Sequence, residues 1–578
     1  MRGHIGVRRS MIDIDARPVR LVMLWHMHQP DFRDCATGEF RLPWVYLHAL
    51  KDYSDMAAHL ERHPGVRAVV NFVPVLVDQL EDYVDQFRSG RLRDPLLELL
   101  GRSDLEATTS AERALILDRC FRANHDKMVD PFPAYVKLRE LSRLIDGGGG
   151  EGNAYLSAQY FSDLLTWYHL AWCGETVRRQ YPLVGQLMAK GSCFTSVDRE
   201  GLLEIIGTVV ADILPRWRAL ADTGQVELST TPFYHPIGPL LLDFAAARER
   251  CPDLPLPRES RYPGGVERTR QHIDWALDFH EQRFGRRAAG MWPAEGALSA
   301  EFARLIGAAG IRWTASGQSV LAASIDADGM ADVARDGRLY RGHRLGAAGP
   351  VAFFRDDRLS DRIGFEYAHW HGREAAADFV AELDRIGARA SADEVPLVSV
   401  ILDGENAWEY YPYNGHYFLD DLYGLLESHP TIRTTTYADA LATAGGGGFP
   451  VLERLVAGSW VYGDLSTWIG HREKNRAWEL LCEAKRHYDR ILREGRLSAA
   501  QRAQASRQLG VCEGSDWCWW FGDHNPPESV RSIDAVYRAN LARLYEVLGE
   551  PVPVELSRPV SQGGAQEAGT RGAMHRAG

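Results

Sequence analysis

Seven short apolar runs, rich in β-branched residues and separated by stretches of helical periodicity, constrain this chain more than any other feature. They lie at residues 19–25, 68–73, 225–231, 288–292, 311–316, 351–354 and 398–402. Runs of this kind read as strands buried on both faces. A parallel strand needs a crossover before the next one can join the same sheet, and the helical stretches provide it. The pattern predicts an α/β fold, a (β/α)7 barrel over residues 18–444. Residues from about 75 to 221 carry apolar helical faces, at 96–100, 111–117 and 201–211 among others, and few strand signals. They are expected to form a helical insertion between barrel strands.

Glycine runs punctuate the chain. The one at 147–150 reads as a flexible surface loop. The one at 445–448, followed by Pro450, reads as a linker into a C-terminal α-helical subdomain at 450–555. There Ile533, Val536, Tyr537, Leu541, Leu544 and Leu548 make one apolar stripe. Residues 1–17 look like a flexible polar tail, and 556–578, rich in Gly, Gln, Ala and Arg, are expected to be disordered.

Composition narrows the function classes. A net charge of −12 argues against a partner in nucleic acid or an anionic membrane. No apolar run approaches the length of a membrane span, and the first twenty residues lack the apolar core of a secretory signal. Eight scattered cysteines with no CxxC spacing read as reduced thiols, so the cytoplasm is the expected compartment.

Chemistry gathers at the carboxyl ends of strands in α/β folds. The run at 398–402 stops in Asp403, Gly404, Glu405, Asn406 and Trp408, with Gly404 freeing the backbone to turn. The run at 288–292 stops in Trp292, Pro293, Ala294, Glu295 and Gly296. Two strand-end carboxylates, each beside tryptophan, are what a glycosidase requires: one group to protonate the leaving oxygen, another to attack the anomeric carbon or activate water. Glu295 and Asp403 are the candidates. Asp403 is preferred over Glu405 because it sits nearer the strand and is better held. Sixteen tryptophans is a high count. Those in polar, strand-end surroundings, Trp25, Trp292, Trp408, Trp519 and Trp520, suit sugar rings with an apolar face and a polar edge. His26 and His28 fall on one side of an extended strand. They could begin a metal site completed by Asp31, His235 or His369, or bind sugar hydroxyls; sugar contact is favoured for His235. The residues from Arg355 to Arg358 read as a structural ion-pair cluster. Two polar, aromatic segments, 459–468 and 513–524, are assigned to the rim of the site. The rival readings are a metal-dependent polysaccharide deacetylase or mannosidase built on the two histidines, and an inactive carbohydrate-binding barrel.

Taken together, these segments resemble glycoside hydrolase family 57, which includes amylopullulanase-like, α-amylase-like and 4-α-glucanotransferase enzymes. His26-Met27-His28-Gln29-Pro30 is similar to its first motif, residues 224–236 to the second, Trp292 to Gly296 to the third and Leu402 to Trp408 to the fourth. Residues 460–468 and 514–524 resemble the C-terminal aromatic motifs of the amylopullulanase-like branch. The resemblance implies Glu295 as nucleophile and Asp403 as general acid/base, retention, and no cofactor or obligatory catalytic metal. It implies an α-glucan or maltooligosaccharide as the substrate. His26, His28, Gln29, His235, Trp292, Glu405, Trp408, Trp460, Asp464, Trp519, Trp520, Asp523 and His524 are the expected substrate-binding residues. The want of a signal and of appended binding modules points to intracellular glycogen or maltodextrin.

Overall fold

The computed structural model describes residues 17–146, 151–325, 330–444 and 448–564. Each of the seven apolar runs contributes a strand: β1 (Val19–Met27), β2 (Ala68–Phe72), β3 (Val226–Thr230), β4 (Gly290–Met291), β5 (Trp313–Gly317), β6 (Val351–Arg355) and β7 (Leu397–Asp403). All pair in parallel in chain order, and β7 closes on β1 from Arg20↔Leu397 to His26↔Asp403. The (β/α)7 barrel is therefore formed.

Side chains alternate between the two faces of a strand. On β1, Leu21, Met23, Trp25 and Met27 point out into the apolar layer shared with the helices; Val22 and Leu24 point in and meet Val69, Ala315, Phe353 and Ile401. Both faces are buried, which is why the sequence shows continuous apolar runs rather than alternation. Followed to the strand ends, the inward row turns polar. It reaches His26 after Val22 and Leu24, and Asp403 after Leu397, Ser399 and Ile401. The same parity sends Trp25 outward. It is fully buried and meets Trp408 edge-on with ring centroids 5.7 Å apart, so the expectation that Trp25 faces sugar is corrected.

The seam between β6 and β7 holds one register pair, Arg355↔Ser399. Two further bonds satisfy its backbone, as buried polar groups require: Asp356 N–H to the Ser399 carbonyl (2.8 Å) and Arg355 Nε–H to the Ile401 carbonyl (2.8 Å). The Arg355 guanidinium also pairs with Asp357 (2.9 Å) and Asp361 (2.7 Å), and Arg358 with Glu382 (2.7 Å). This is the ion-pair cluster expected there.

Helices from Pro74–Ser89 to Ser196–Asp222 fill the gap between β2 and β3. Capping boxes at Thr109/Glu112 and Thr195/Asp198 set two of their starts. Among the described residues, no helix is long and apolar enough to cross a membrane. The short strands His343–Leu345, Ile432–Thr434 and Val451–Leu452 extend the sheet outside the barrel. Two or three residues carry no readable period, so the sequence does not announce them.

Four helices, Arg472–Glu494, Ala499–Cys512, Asp516–Trp520 and Pro527–Leu548, make the C-terminal region. Leu509, Trp517, Tyr537 and Leu544 lie in the same buried cluster as the outer face of the barrel. The expected disorder from residue 556 is corrected in part, since ordered chain continues to 564. Leu556 is buried, Ser561 Oγ–H donates to Glu473 (2.7 Å), and Ser561 N–H donates to Asp534 (3.1 Å). These polar anchors leave no trace in hydropathy. Residues 1–16, 147–150, 445–447 and 565–578, where tails, loop and most of the linker are expected, lie outside the described residues.

Candidate active site

Glu295 stands in a strained turn just past β4. Its backbone is left-handed (φ 57°, ψ 25°), which costs a residue other than glycine free energy and persists only when neighbours hold it. The holders are visible. Gly296 N–H donates to Pro293 O (2.9 Å), Ser316 Oγ–H to Gly296 O (2.6 Å), and Trp460 N–H to Glu295 O (3.2 Å). Gly296 is itself left-handed, and a Cβ there would lie 2.8 Å from the Trp292 ring. The Trp460 indole N–H also donates to Glu295 Oε2 at 2.9 Å. Burial, and then the charge of Asp403, push the Glu295 carboxyl up to about 8.

Asp403 is the last residue of β7, on the inward row. Its Oδ2 accepts from Asn406 Nδ2 (2.9 Å). Burial raises its pKa, while Asn406, His28 and Arg355 pull back. Burial thus raises both carboxyls, and the Asp403 charge adds to the rise at Glu295. Glu405 is engaged with the β1 end. Its Oε1 accepts from His28 N–H (3.1 Å) and Gln29 Nε2 (3.4 Å), while Oε2 is buried without a partner. Burial and the Asp403 charge hold Glu405 well above the usual carboxylate range. Gly404 turns the chain without a left-handed backbone. It packs closely on Met27, whose thioether end a Cβ would displace.

The histidines form a chain of bonds. Asn71 gives its amide N–H to Ser229 Oγ (3.1 Å), and its oxygen faces His26 Nδ1 at 2.7 Å. His26 therefore donates from Nδ1 and presents a lone pair on Nε2 to His235 Nε2–H (3.2 Å). That leaves His235 Nδ1 to accept from Ser515 Oγ–H (2.8 Å). His28 stacks on His235 with centroids 3.9 Å apart and meets Asp516 Oδ1 through Nε2 (2.9 Å). Burial pulls His26 down to about 3 and His235 well below its ordinary value, so both are neutral.

His28, His235 and Asp516 are the trio among the described residues whose ligand atoms, within 4.8 Å of one another, could hold a metal ion. A cation there would take the place of the proton between His28 and Asp516. Of the partners expected from sequence, His235 joins it and the other two do not. Asp31 is engaged by Arg33 (2.8 Å), and His369 is exposed.

The family profile of glycosyl hydrolase family 57 matches residues 22–452. The chain belongs to glycosyl hydrolase family 57. Its fold is similar to that of a GH57 branching enzyme from Thermococcus kodakaraensis, with a TM-score of 0.57, 14% identity and 93% of each chain covered. It is also similar to the α-amylase AmyC from Thermotoga maritima, with a TM-score of 0.55 and 13% identity over 92% of this chain and 93% of that one. A GH57-type branching enzyme from Pyrococcus horikoshii gives 0.54 and 15% identity over 97% and 99%. At such identities the likeness is one of fold. No curated protein matches the sequence.

In this family 57 chain, the expected site residues divide. Glu295, Asp403, Glu405, His26, His28, Gln29, His235 and Trp460 come together at the strand ends. Trp292 is fully buried beneath them, with its ring 5.1 Å from Trp460 and 6.2 Å from His26. Trp408 does not join. It is buried, its indole N–H donates to Gly404 O (2.8 Å), and it packs on Trp25 and Tyr411. Asp464 caps its own loop through Ser466 (2.8 Å) and accepts from Cys251 (3.4 Å). Asp523 and His524 are exposed, while Trp519 and Trp520 are half-buried, the former beside Trp468. Sequence reasoning passed over Asn71, Asn406, Ser515 and Asp516. Asn71 could have been found as the polar end of the inward row of β2. Asp516 was hidden inside an aromatic segment.

A prediction separates the tryptophans. Trp408→Ala should cost about 3–5 kcal/mol of stability, as large-to-small core changes do, and lower the melting temperature. Trp460→Phe should leave melting nearly unchanged and lower kcat, because it removes a donor to Glu295. Melting curves and kinetics on both variants check this; the reverse pattern would exchange their roles.

Proposed function

We propose that this chain is a retaining α-glucan-active glycoside hydrolase or transglycosylase that cleaves α-1,4-glucosidic bonds through a covalent glucosyl-enzyme. The observation that carries the reading is the buried pair at the ends of β4 and β7, Glu295 and Asp403, with the Trp460 N–H on Glu295 Oε2. The similar structures named branching enzyme and α-amylase support α-glucan as the substrate class.

In the first step Glu295 Oε attacks the anomeric carbon. The bond to the glycosidic oxygen breaks, and Asp403 gives that oxygen its proton. In the second step Asp403 takes a proton from water or from an acceptor sugar hydroxyl, whose oxygen displaces Glu295. The cycle needs one proton on the pair. Without substrate it rests on Glu295, pushed up by the Asp403 charge; a glycosidic oxygen beside Asp403 offers it an acceptor there, and the Trp460 N–H stabilises the Glu295 carboxylate that remains. His26 and His235 have both ring nitrogens engaged inside the protein, so they support the site from behind and do not bind sugar hydroxyls, and the expected sugar contact of His235 is corrected.

The pH dependence follows. Above about 8 the proton on Glu295 leaves, so kcat/KM should fall along an alkaline limb near that value. Stability has the same cause. The folded pair keeps a proton that the unfolded chain releases in the usual carboxylate range, so stability declines as pH rises from there toward about 8. Glu295→Gln should therefore gain stability relative to the native chain as pH rises through that window, and melting curves at pH 5 and 8 measure it. A constant difference would show that the carboxyl is not held protonated.

The deciding experiment incubates the protein with maltoheptaose and follows the products by chromatography, with and without chelator. Longer products indicate transfer, and shorter ones alone indicate hydrolysis. No turnover on any α-glucan would refute the reading. Loss with chelator would favour the metal-dependent alternative on His28, His235 and Asp516.

A further inference from the structure

The family profile ends at residue 452, yet the histidine chain is completed by Ser515 and Asp516, far beyond it. Glu513 anchors the segment that brings them. It is almost wholly buried and accepts from Arg268 Nε (2.9 Å) and Nη2, from His272 Nε2 (2.7 Å) and from Tyr262 OH (2.6 Å). Arg268 and His272 belong to the helix Gly265–Phe284, which leads from β3 to β4.

Both flanks of this carboxylate lead to the same imidazole. On one side, His272 lies against Phe233. Its Nδ1 meets the Phe233 carbonyl, and its own carbonyl accepts from Phe233 N–H (3.0 Å). Directly after come Tyr234 and His235, two consecutive left-handed residues at φ 66° and 57° that need such support. On the other side, Ser515 N–H donates to His235 O (2.9 Å) and Ser515 Oγ–H to His235 Nδ1. Between them, Gly514 passes so close that a Cβ would lie 2.9 Å from Tyr234 O. A buried ion pair is weak evidence of a role in stability. One whose two sides converge on a single strained histidine has a geometric role.

We propose that Glu513 is a positioning residue of the active site. From the C-terminal region it fixes the turn through His235 and the segment Gly514 to Asp516, and thereby the tautomer of His235 and the placement of His28. Its catalytic consequence rests on the glycosidase reading above, in which the histidine chain backs the active site. Its structural content does not.

The test uses the full chain with Glu513→Gln, Tyr262→Phe and a control, Asp534→Asn. Asp534 is also buried in the C-terminal region, but its carboxylate holds Arg538, Val560 and Ser561, away from the histidines. At a temperature where all three are folded, Glu513→Gln should lower kcat on maltoheptaose by about 10- to 100-fold with KM changed little, the scale of a misplaced active-site group. Tyr262→Phe should lower it by a smaller factor. Asp534→Asn should lower the melting temperature and leave kcat within about twofold. Nitrogen-15 NMR of the histidines needs no substrate. The native protein should show His235 as the Nε2–H form, and Glu513→Gln should show the two tautomers mixing. An unchanged His235 signal in Glu513→Gln would overturn the proposal. So would equal kcat losses in the Glu513 and Asp534 variants. Turnover of no α-glucan with the NMR shift present would instead strike only the glycosidase reading.

Discussion

Glu295→Ala should lose turnover on every α-glucan by about 10⁴-fold or more, since no covalent intermediate can form without the carboxylate. The expectation comes from the way the fold holds this side chain. A left-handed backbone, a buried carboxyl and an indole N–H on Oε2 fix the group in place. Azide added to the variant should restore part of the turnover with a product of inverted configuration, because the small anion enters the space of the missing group. Kinetics with and without azide, and product configuration by NMR, decide it. Activity within about tenfold of the native protein would remove Glu295 from the nucleophile's role. An azide product of retained configuration would point to a different first step.

Asp403→Ala separates the two steps. On maltooligosaccharides kcat should fall by about 10²- to 10⁴-fold, the usual contribution of a general acid. An activated glucosyl fluoride or nitrophenyl glycoside should still react in the first step, because its leaving group needs little protonation. The second step lacks its base, so the glycosyl-enzyme should accumulate as added mass on Glu295, read by peptide mass spectrometry. Glu405 is the competitor. Its Oε1 is occupied by His28 N–H and Gln29, and it lies past the strand end, so Glu405→Ala should slow good and poor leaving groups alike. Sugar trapped on Asp403, or leaving-group dependence in the Glu405 variant, would reverse the assignment.

Some of this architecture is legible in the order of the residues alone. A parallel barrel buries both faces of each strand, so its strands are the continuous apolar runs, and its reactive groups are the polar residues where those runs stop. Glu295 and Asp403, the pair proposed as nucleophile and acid/base, are located that way, and His26 with them. The rule fails where a side chain's direction matters. Trp25 is one residue from His26, and Trp408 shares a loop with Asp403. Both are core, since parity sends Trp25 outward and the turn after Gly404 folds Trp408 against it.

The sequence by itself determined the seven strands, their parallel order and the carboxylates at their ends, because burial and local turn chemistry are written in neighbouring residues. Only the tertiary structure decided which partners those carboxylates and histidines meet. Trp460 lies 165 residues from Glu295, Asp516 lies 488 from His28, and Ser515 lies 280 from His235. A hydrogen bond across such separations leaves no local period or motif. It exists because the C-terminal helices share the barrel's apolar layer and are drawn over its mouth by Glu513. The protonation of the site was decided there too, since a pKa is set by burial and by charges that converge only when the chain is folded.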